Sequence, residues 1–148
     1  MNLDTAQAIR ESEGKSLVVY EDTLGHATVG IGHLVDPADE LVIGDAISEE
    51  QCTAFFMVDL GEAEHGAKRI CLSLGPQPPQ VLHVLICMVF QLGYSGVLRF
   101  KKMLAALKRQ NYSEAAYEMM DSRWFDQTPK QASRLATTMQ RLAVCAKV

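Results

Sequence analysis

Residues 13–33 read Glu13-Gly14-Lys15-Ser16-Leu17-Val18-Val19-Tyr20-Glu21-Asp22-Thr23-Leu24-Gly25-His26-Ala27-Thr28-Val29-Gly30-Ile31-Gly32-His33, and the division of this stretch decides the fold. Two apolar, β-branched runs, 16–20 and 27–31, flank the turn-forming segment Glu21 to Gly25, which is the pattern of a small β-hairpin. Upstream, residues 3–13 place Leu3, Ala6, Ile9 and Arg10 at helical spacing with Gly14 suited to the C′ position. That predicts a short helix ending at Glu13. Downstream, Ser48-Glu49-Glu50-Gln51 has the form of a capping box ahead of Ile47, Phe55, Phe56, Val58 and Leu60, an apolar set that predicts a helix from 48 to the mid-60s.

Gly75-Pro76-Gln77-Pro78-Pro79 is the clearest break in the chain. The run from Val81 to Phe90 is apolar on every side, which predicts a buried central helix too short to span a bilayer. Further helices are expected at 97–109 and 112–121, and a last one from Thr128-Pro129, with Thr as N-cap and Pro as first helical residue. The expected class is α+β: one helix, a small acidic β-lobe, then a larger all-helical lobe.

The chain has 148 residues, 48% apolar and 22% charged. This composition argues against a disordered tail, a membrane span and a collagenous repeat. Four cysteines, at 52, 71, 87 and 145, lack CxxC spacing and lie in apolar stretches, so they read as free core thiols rather than disulfides or zinc ligands. Met1-Asn2-Leu3-Asp4 has neither a basic nor an apolar leader region, which predicts synthesis into a cytosol without a secretory signal. The formal charge of −4 is unevenly spread: residues 1–60 hold two bases and twelve acids, residues 61–148 twelve bases and six acids. A basic C-terminal half suits a polyanionic partner, although a solvated charged face would read the same way.

Chemistry-bearing residues concentrate between 13 and 33. A carboxyl at a helix C-terminus meets the negative end of the macrodipole, which helps keep Glu13 protonated and suits it to be a general acid. Asp22 lies in a turn, where solvent and backbone N–H groups favour the carboxylate. Two carboxyls in such different surroundings are what glycosidic bond cleavage requires. Strand alternation over 27–31 predicts Val29 and Ile31 on the buried face, with Thr28 and Gly30 on an open face where a substrate could approach. Taken singly, Glu13 and Asp22 are better explained as solvated surface residues, Asp22 with Thr23 in an Asx-turn, Thr28 as an ordinary strand residue and the glycines as bulge residues.

Together they resemble a family. Glu13-Gly14 followed by Tyr20-x-Asp22-x-x-Gly25-x-x-Thr28-Val29-Gly30-Ile31-Gly32-His33 is similar to the catalytic signature of phage-type lysozymes, the endolysins of glycoside hydrolase family 24. The likeness extends to Asp59-Leu60, to Met88-Val89-Phe90-Gln91-Leu92-Gly93, to Glu114-Ala115-Ala116, and to Ser122-Arg123-Trp124-Phe125-x-Gln127-Thr128-Pro129, which points to the T-even branch. It covers nearly the whole chain.

The resemblance implies a two-lobed lysozyme-like fold, with a β-lobe over about 14–58, a helical lobe of 1–13 plus 62–148, and a long helix joining them. It implies a single lysozyme domain over 1–148, acting as a muramidase on the β-1,4 bond between N-acetylmuramic acid and N-acetylglucosamine of peptidoglycan. Glu13 would be the general acid, Asp22 would hold or activate the attacking water, and Thr28 would position it. Inversion at the anomeric carbon would require the carboxyls to stand roughly 6.5–9.5 Å apart. Gly32, His33, Leu34, Phe90, Gln91 and Arg123 would line the substrate cleft, and His33 would pair with Asp59. No cofactor or metal is implied. Expected partners are peptidoglycan glycan strands, not nucleic acid and not a membrane. The enzyme would be a monomer in the host cytoplasm, reaching the wall once a separate membrane-permeabilising protein opens the way.

Three departures from the family pattern stand out. The segment from His33 to Ser48 is short. Gln131 stands where similar lysozymes carry an arginine that pairs with the catalytic Glu, leaving Arg134 as a substitute and Thr128-x-x-Gln131 as a capping box. The chain is also acidic where the T-even enzyme is basic. Alternatives to muramidase are a lytic transglycosylase, which would not need Asp22, and a catalytically weak wall-binding protein.

Overall fold

A computed structural model describes residues 4–146, with side chains through residue 144. The expected first helix forms as α1, Thr5–Glu13; the expected contribution of Leu3 lies outside the described residues. Asp4 caps α1, its Oδ1 accepting from the Gln7 N–H at 2.9 Å. Gly14 ends it at φ 69°, its N–H returning to the Arg10 carbonyl at 3.0 Å. A left-handed φ of this kind carries no Cβ penalty in glycine, which is why the helix stops beside Glu13.

The hairpin forms as β1, Ser16–Glu21, and β2, Ala27–Gly30, and a short third strand, β3, His33–Leu34, completes an antiparallel sheet of order β1-β2-β3. The β1–β2 register places Tyr20 opposite Thr28, with an irregularity between Ser16 and Tyr20. On the other edge of β1, the Val19 and Ile47 N–H groups donate to Asp45 and Leu17 carbonyls, both at 2.8 Å. Beneath the sheet Val19, Val29, Ile47 and Cys52 form a buried cluster, packed by Leu17, Ile31, Val35 and Phe55.

The capping box closes as its sequence indicates: Gln51 N–H donates to Ser48 Oγ at 3.1 Å and Ser48 N–H donates to Gln51 Oε1 at 2.8 Å. From it runs α2, Glu49–Ser73, of 25 residues, well past the mid-60s. Ala63, Ala67 and Ile70 continue its buried stripe at helical spacing. The remaining helices are α3, Pro79–Leu98, α4, Lys101–Lys108, α5, Tyr112–Met120, α6, Arg123–Gln127, and α7, Pro129–Ala146. The expected helix at 97–109 is therefore two pieces. Val97 and Leu98 close α3, and α4 starts only at Lys101.

Inside α3, Gly93 sits at φ 80°, ψ 162°, a break in the helical path. Val81, Val84, Leu85, Ile86 and Met88 are fully buried, as expected of a central helix. By length and composition alone this 20-residue helix, mean hydropathy 1.9, is also apolar enough to cross a membrane, a test that a buried core helix passes as well. Cys52 is a buried free thiol, whereas Cys71 and Cys87 are only partly buried, and the Cys145 side chain lies outside the described residues.

The fold is α+β and two-lobed. Its internal contacts separate two compact units, Met1–Glu62 and Ala63–Val148. By this division α1 falls within the first unit. In the second unit α7 packs chiefly on α5, burying Ala132, Ala136 and Met139 with Ala115, Ala116 and Met119.

Candidate active site

Glu13, Asp22 and Thr28 all belong to the first unit, at the end of α1, in the β1–β2 turn and in β2. Burial pushes the Glu13 carboxyl above the ordinary glutamate range. The direction is the one a general acid needs, and its cause is desolvation. Gly32, at φ +67°, lies against this side chain: a Cβ there would stand 2.7 Å from Glu13 Oε2 and 3.0 Å from Cδ. Only a glycine leaves Glu13 this position.

Asp22 is fixed by the turn that carries it. Its Oδ1 accepts from the Leu24 N–H at 2.9 Å and the His26 N–H at 2.8 Å. Its own N–H donates to the His26 carbonyl at 2.8 Å, and its carbonyl accepts from the Gly25 N–H at 3.0 Å. Oδ2 has a different neighbour, His26 Nδ1 at 3.6 Å, which is an electrostatic contact rather than a hydrogen bond.

Thr28 corrects the sequence reading. The open face expected for it does not exist: Thr28 is 4% exposed and Val29 fully buried. β2 ends at Gly30, whose φ of +66° breaks the alternation before Ile31, and Thr28 is flanked by Tyr20 on β1 and Leu34 on β3. Its hydroxyl donates to the His26 carbonyl at 3.1 Å, so the oxygen's lone pairs remain to accept a hydrogen bond. Tyr20 was not singled out from sequence, yet burial first, then the charges of Glu13 and Asp22, push its phenol upward. It was recoverable from the hairpin register, which pairs it with Thr28.

His33 is held from both sides. Nδ1 lies 2.7 Å from Asp59 Oδ2, and Nε2 lies 2.8 Å from Asp39 Oδ2; the ring stacks on Phe55 at 4.0 Å between centroids. With both nitrogens facing carboxylates, the imidazole is a double donor. Burial lowers its pKa, but the bonds to Asp39 and Asp59 and their charges outweigh it and raise the balance. No ring nitrogen is left for a sugar. Asp39 escaped the sequence reading because it is brought round by the 3-10 turn Pro37–Asp39, closed when Asp39 Oδ2 also accepts from the Asp36 N–H at 2.8 Å. Leu34, by contrast, is 54% exposed.

Phe90, Gln91 and Arg123 lie in the second unit. Gln91 is committed at both ends: Trp124 Nε1–H donates to its Oε1 at 3.0 Å, and its Nε2 donates to Thr128 Oγ1 at 2.9 Å. The Thr128 carbonyl accepts from the Ala132 N–H at 3.0 Å, which puts Thr128 at the N-cap position of α7. Arg123 opens onto a cavity of about 620 Å³ shared with Arg99, Lys101, Lys102, Glu118 and Asp121. Among the described residues no group of three or more His, Cys, Asp or Glu side chains is placed to hold a metal ion.

The phage lysozyme family model matches residues 10–141. The chain is 31% identical to the pre-baseplate central spike protein Gp5 of Enterobacteria phage T4 over 90% of its own length but 27% of the spike protein's. It is 28% identical to a probable T4-type lysozyme of Dictyostelium discoideum, over 89% of this chain and 91% of the relative. It is 27% identical to the peptidoglycan hydrolase gp36 of Pseudomonas phage phiKMV, over 81% of this chain and 13% of that protein. The chain therefore belongs to the phage lysozyme family, a family of hydrolases.

Proposed function

We propose that the chain is an endolysin-type muramidase, hydrolysing the β-1,4 bond between N-acetylmuramic acid and N-acetylglucosamine of peptidoglycan by an inverting general acid/base mechanism. The observation that carries this reading is the contrast between its two carboxyls. Glu13, desolvated and with a raised pKa, can hold a proton for the leaving-group oxygen. Asp22 has one oxygen complemented by two N–H donors, leaving Oδ2 to accept from water.

The hydrogen-bond directions give the water its orientation. Thr28 spends its hydroxyl proton on the His26 carbonyl, so it meets a water as an acceptor, as Asp22 Oδ2 does. A water donating both hydrogens to these acceptors turns a lone pair outward, toward an anomeric carbon. In the reaction Glu13 protonates the departing oxygen, the water oxygen bonds to the anomeric carbon, and the water's proton passes to Asp22. Protons balance, and no intermediate is covalently held.

Gly32 is read here as the residue that makes room for Glu13, and Leu34, Phe90 and Arg123 as substrate contacts. The four cations at the 620 Å³ cavity suit an anionic polymer. The lytic setting is host cytoplasm followed by access to the wall after membrane permeabilisation. Digestion of purified sacculi tests the reading: new reducing ends at N-acetylmuramic acid support it, and 1,6-anhydro ends would identify a lytic transglycosylase instead.

A further inference from the structure

His26 is the hub of the turn that holds the two water-handling groups. Its N–H donates to Asp22 Oδ1, and its carbonyl accepts from both the Asp22 N–H and the Thr28 hydroxyl. These three bonds are main-chain at His26 and survive any ordinary substitution there. The imidazole adds something separate: it is exposed, and its Nδ1 faces Asp22 Oδ2 at 3.6 Å. Oδ2 is the oxygen left open once Oδ1 is engaged by two N–H groups.

We propose that the His26 imidazole is a positioning residue that governs the availability of Asp22 Oδ2 to the attacking water, according to whether the ring carries a proton. This rests on the reading of Asp22 as the group that receives the water's proton. A neutral ring leaves the carboxylate's charge to the water. An imidazolium beside Oδ2 competes for the same lone pairs and weakens the carboxylate as a proton acceptor, because the positive charge favours its ionised form. Histidine is the side chain that ordinarily changes charge between pH 5 and 8, which is the window over which the two ring states are compared below.

The other ionisable groups around this turn act differently. Tyr20 faces both Asp22 and Glu13 electrostatically, and Glu21 Oε1 borders Gly25 within the turn. None of them can supply a positive charge, so among these groups only the His26 ring can be a cation. At 3.6 Å in a water-like dielectric the interaction between unit charges corresponds to about a fivefold to tenfold effect.

The test compares the wild type with His26→Gln and His26→Lys, measuring kcat and KM on purified sacculi between pH 5 and pH 8, with Asp22→Asn alongside. His26→Gln should outperform the wild type at pH 5 and match it at pH 8, the ratio changing about fivefold in kcat with KM steady. His26→Lys, a permanent cation, should stay at the wild type's low-pH level throughout. Parallel profiles for wild type and His26→Gln, with Asp22→Asn inactive, would overturn the role of the ring while leaving Asp22 in place. An active Asp22→Asn would overturn the reading of Asp22 and the proposal with it.

Discussion

The side chain of Glu13 rests directly on the backbone of Gly32, so closely that a β-carbon on residue 32 would stand 2.7 Å from the carboxyl oxygen. Gly32 also holds φ +67°, where an L side chain is strained. Gly32→Ala therefore displaces Glu13 while adding a backbone cost of about 1–2 kcal/mol. The activity should fall far more, on the order of 100-fold in kcat/KM, since a 1 Å displacement of a catalytic group costs about that much. Sacculus digestion and urea denaturation of the same variant separate the two; equal losses in both would refute the positioning role.

The pH dependence of the rate follows from the raised pKa of Glu13. A general acid works in its protonated form, so kcat should fall as pH rises through the Glu13 value, and that alkaline limb should lie above the ordinary 4.5 of glutamate. A kcat–pH profile whose alkaline limb falls at or below that value would contradict the assignment.

The Asp39–His33–Asp59 arrangement makes stability depend on pH in a defined window. The folded pKa of His33 is raised, so its contribution is fully present below its ordinary 6.5 and is lost as pH rises through the folded value. Burial acts to raise Asp39, but the Asp36 N–H and His33 more than offset this and lower it, so its contribution is present above 3.8 and lost as pH falls through the folded value. Burial moves Asp59 the other way, above the usual range despite His33. His33→Asn should cost on the order of 2 kcal/mol near pH 5 and distinctly less near pH 9. Urea denaturation at both values checks this, a pH-independent difference being the contrary result.

Gln91 is predicted to act as a brace rather than as a sugar contact. Gln91→Leu strips the partner from the Trp124 indole N–H and from Thr128, costing about 1–3 kcal/mol for the groups left unsatisfied. Trp124 is the chain's sole tryptophan, so its fluorescence reports the change directly. The expected outcome is a lowered Tm with altered Trp124 emission and KM near the wild-type value; a raised KM with unchanged Tm would restore Gln91 to the substrate contacts.

Local signals were readable before the structure, and longer-range ones were not. Gly14 ending α1, the Ser48–Gln51 capping box and the turn between β1 and β2 each depend on neighbouring residues, and each forms where its sequence places it. The two-residue β3 and five-residue α6 are too short to show a period. The length of α2 was hidden by Gly61 and Gly66, although the Ala63-Ala67-Ile70 stripe carries it onward. Thr28 was misplaced because alternation assumes that a strand continues, and Gly30 ends this one. Residue types marked Glu13, Asp22 and Thr28 as candidates, but the direction in which each hydrogen bond runs, and hence the open Oδ2 of Asp22, required coordinates.

The central claim is that Glu13 supplies the proton for glycosidic hydrolysis. Its most direct test is product analysis of purified sacculi digested in ¹⁸O-labelled water by the wild type and by Glu13→Gln. The account predicts reducing N-acetylmuramic acid ends carrying the label, with a rate loss of about 100- to 10,000-fold in the variant. Anhydro ends without label, or a Glu13→Gln enzyme as fast as the wild type, would contradict it.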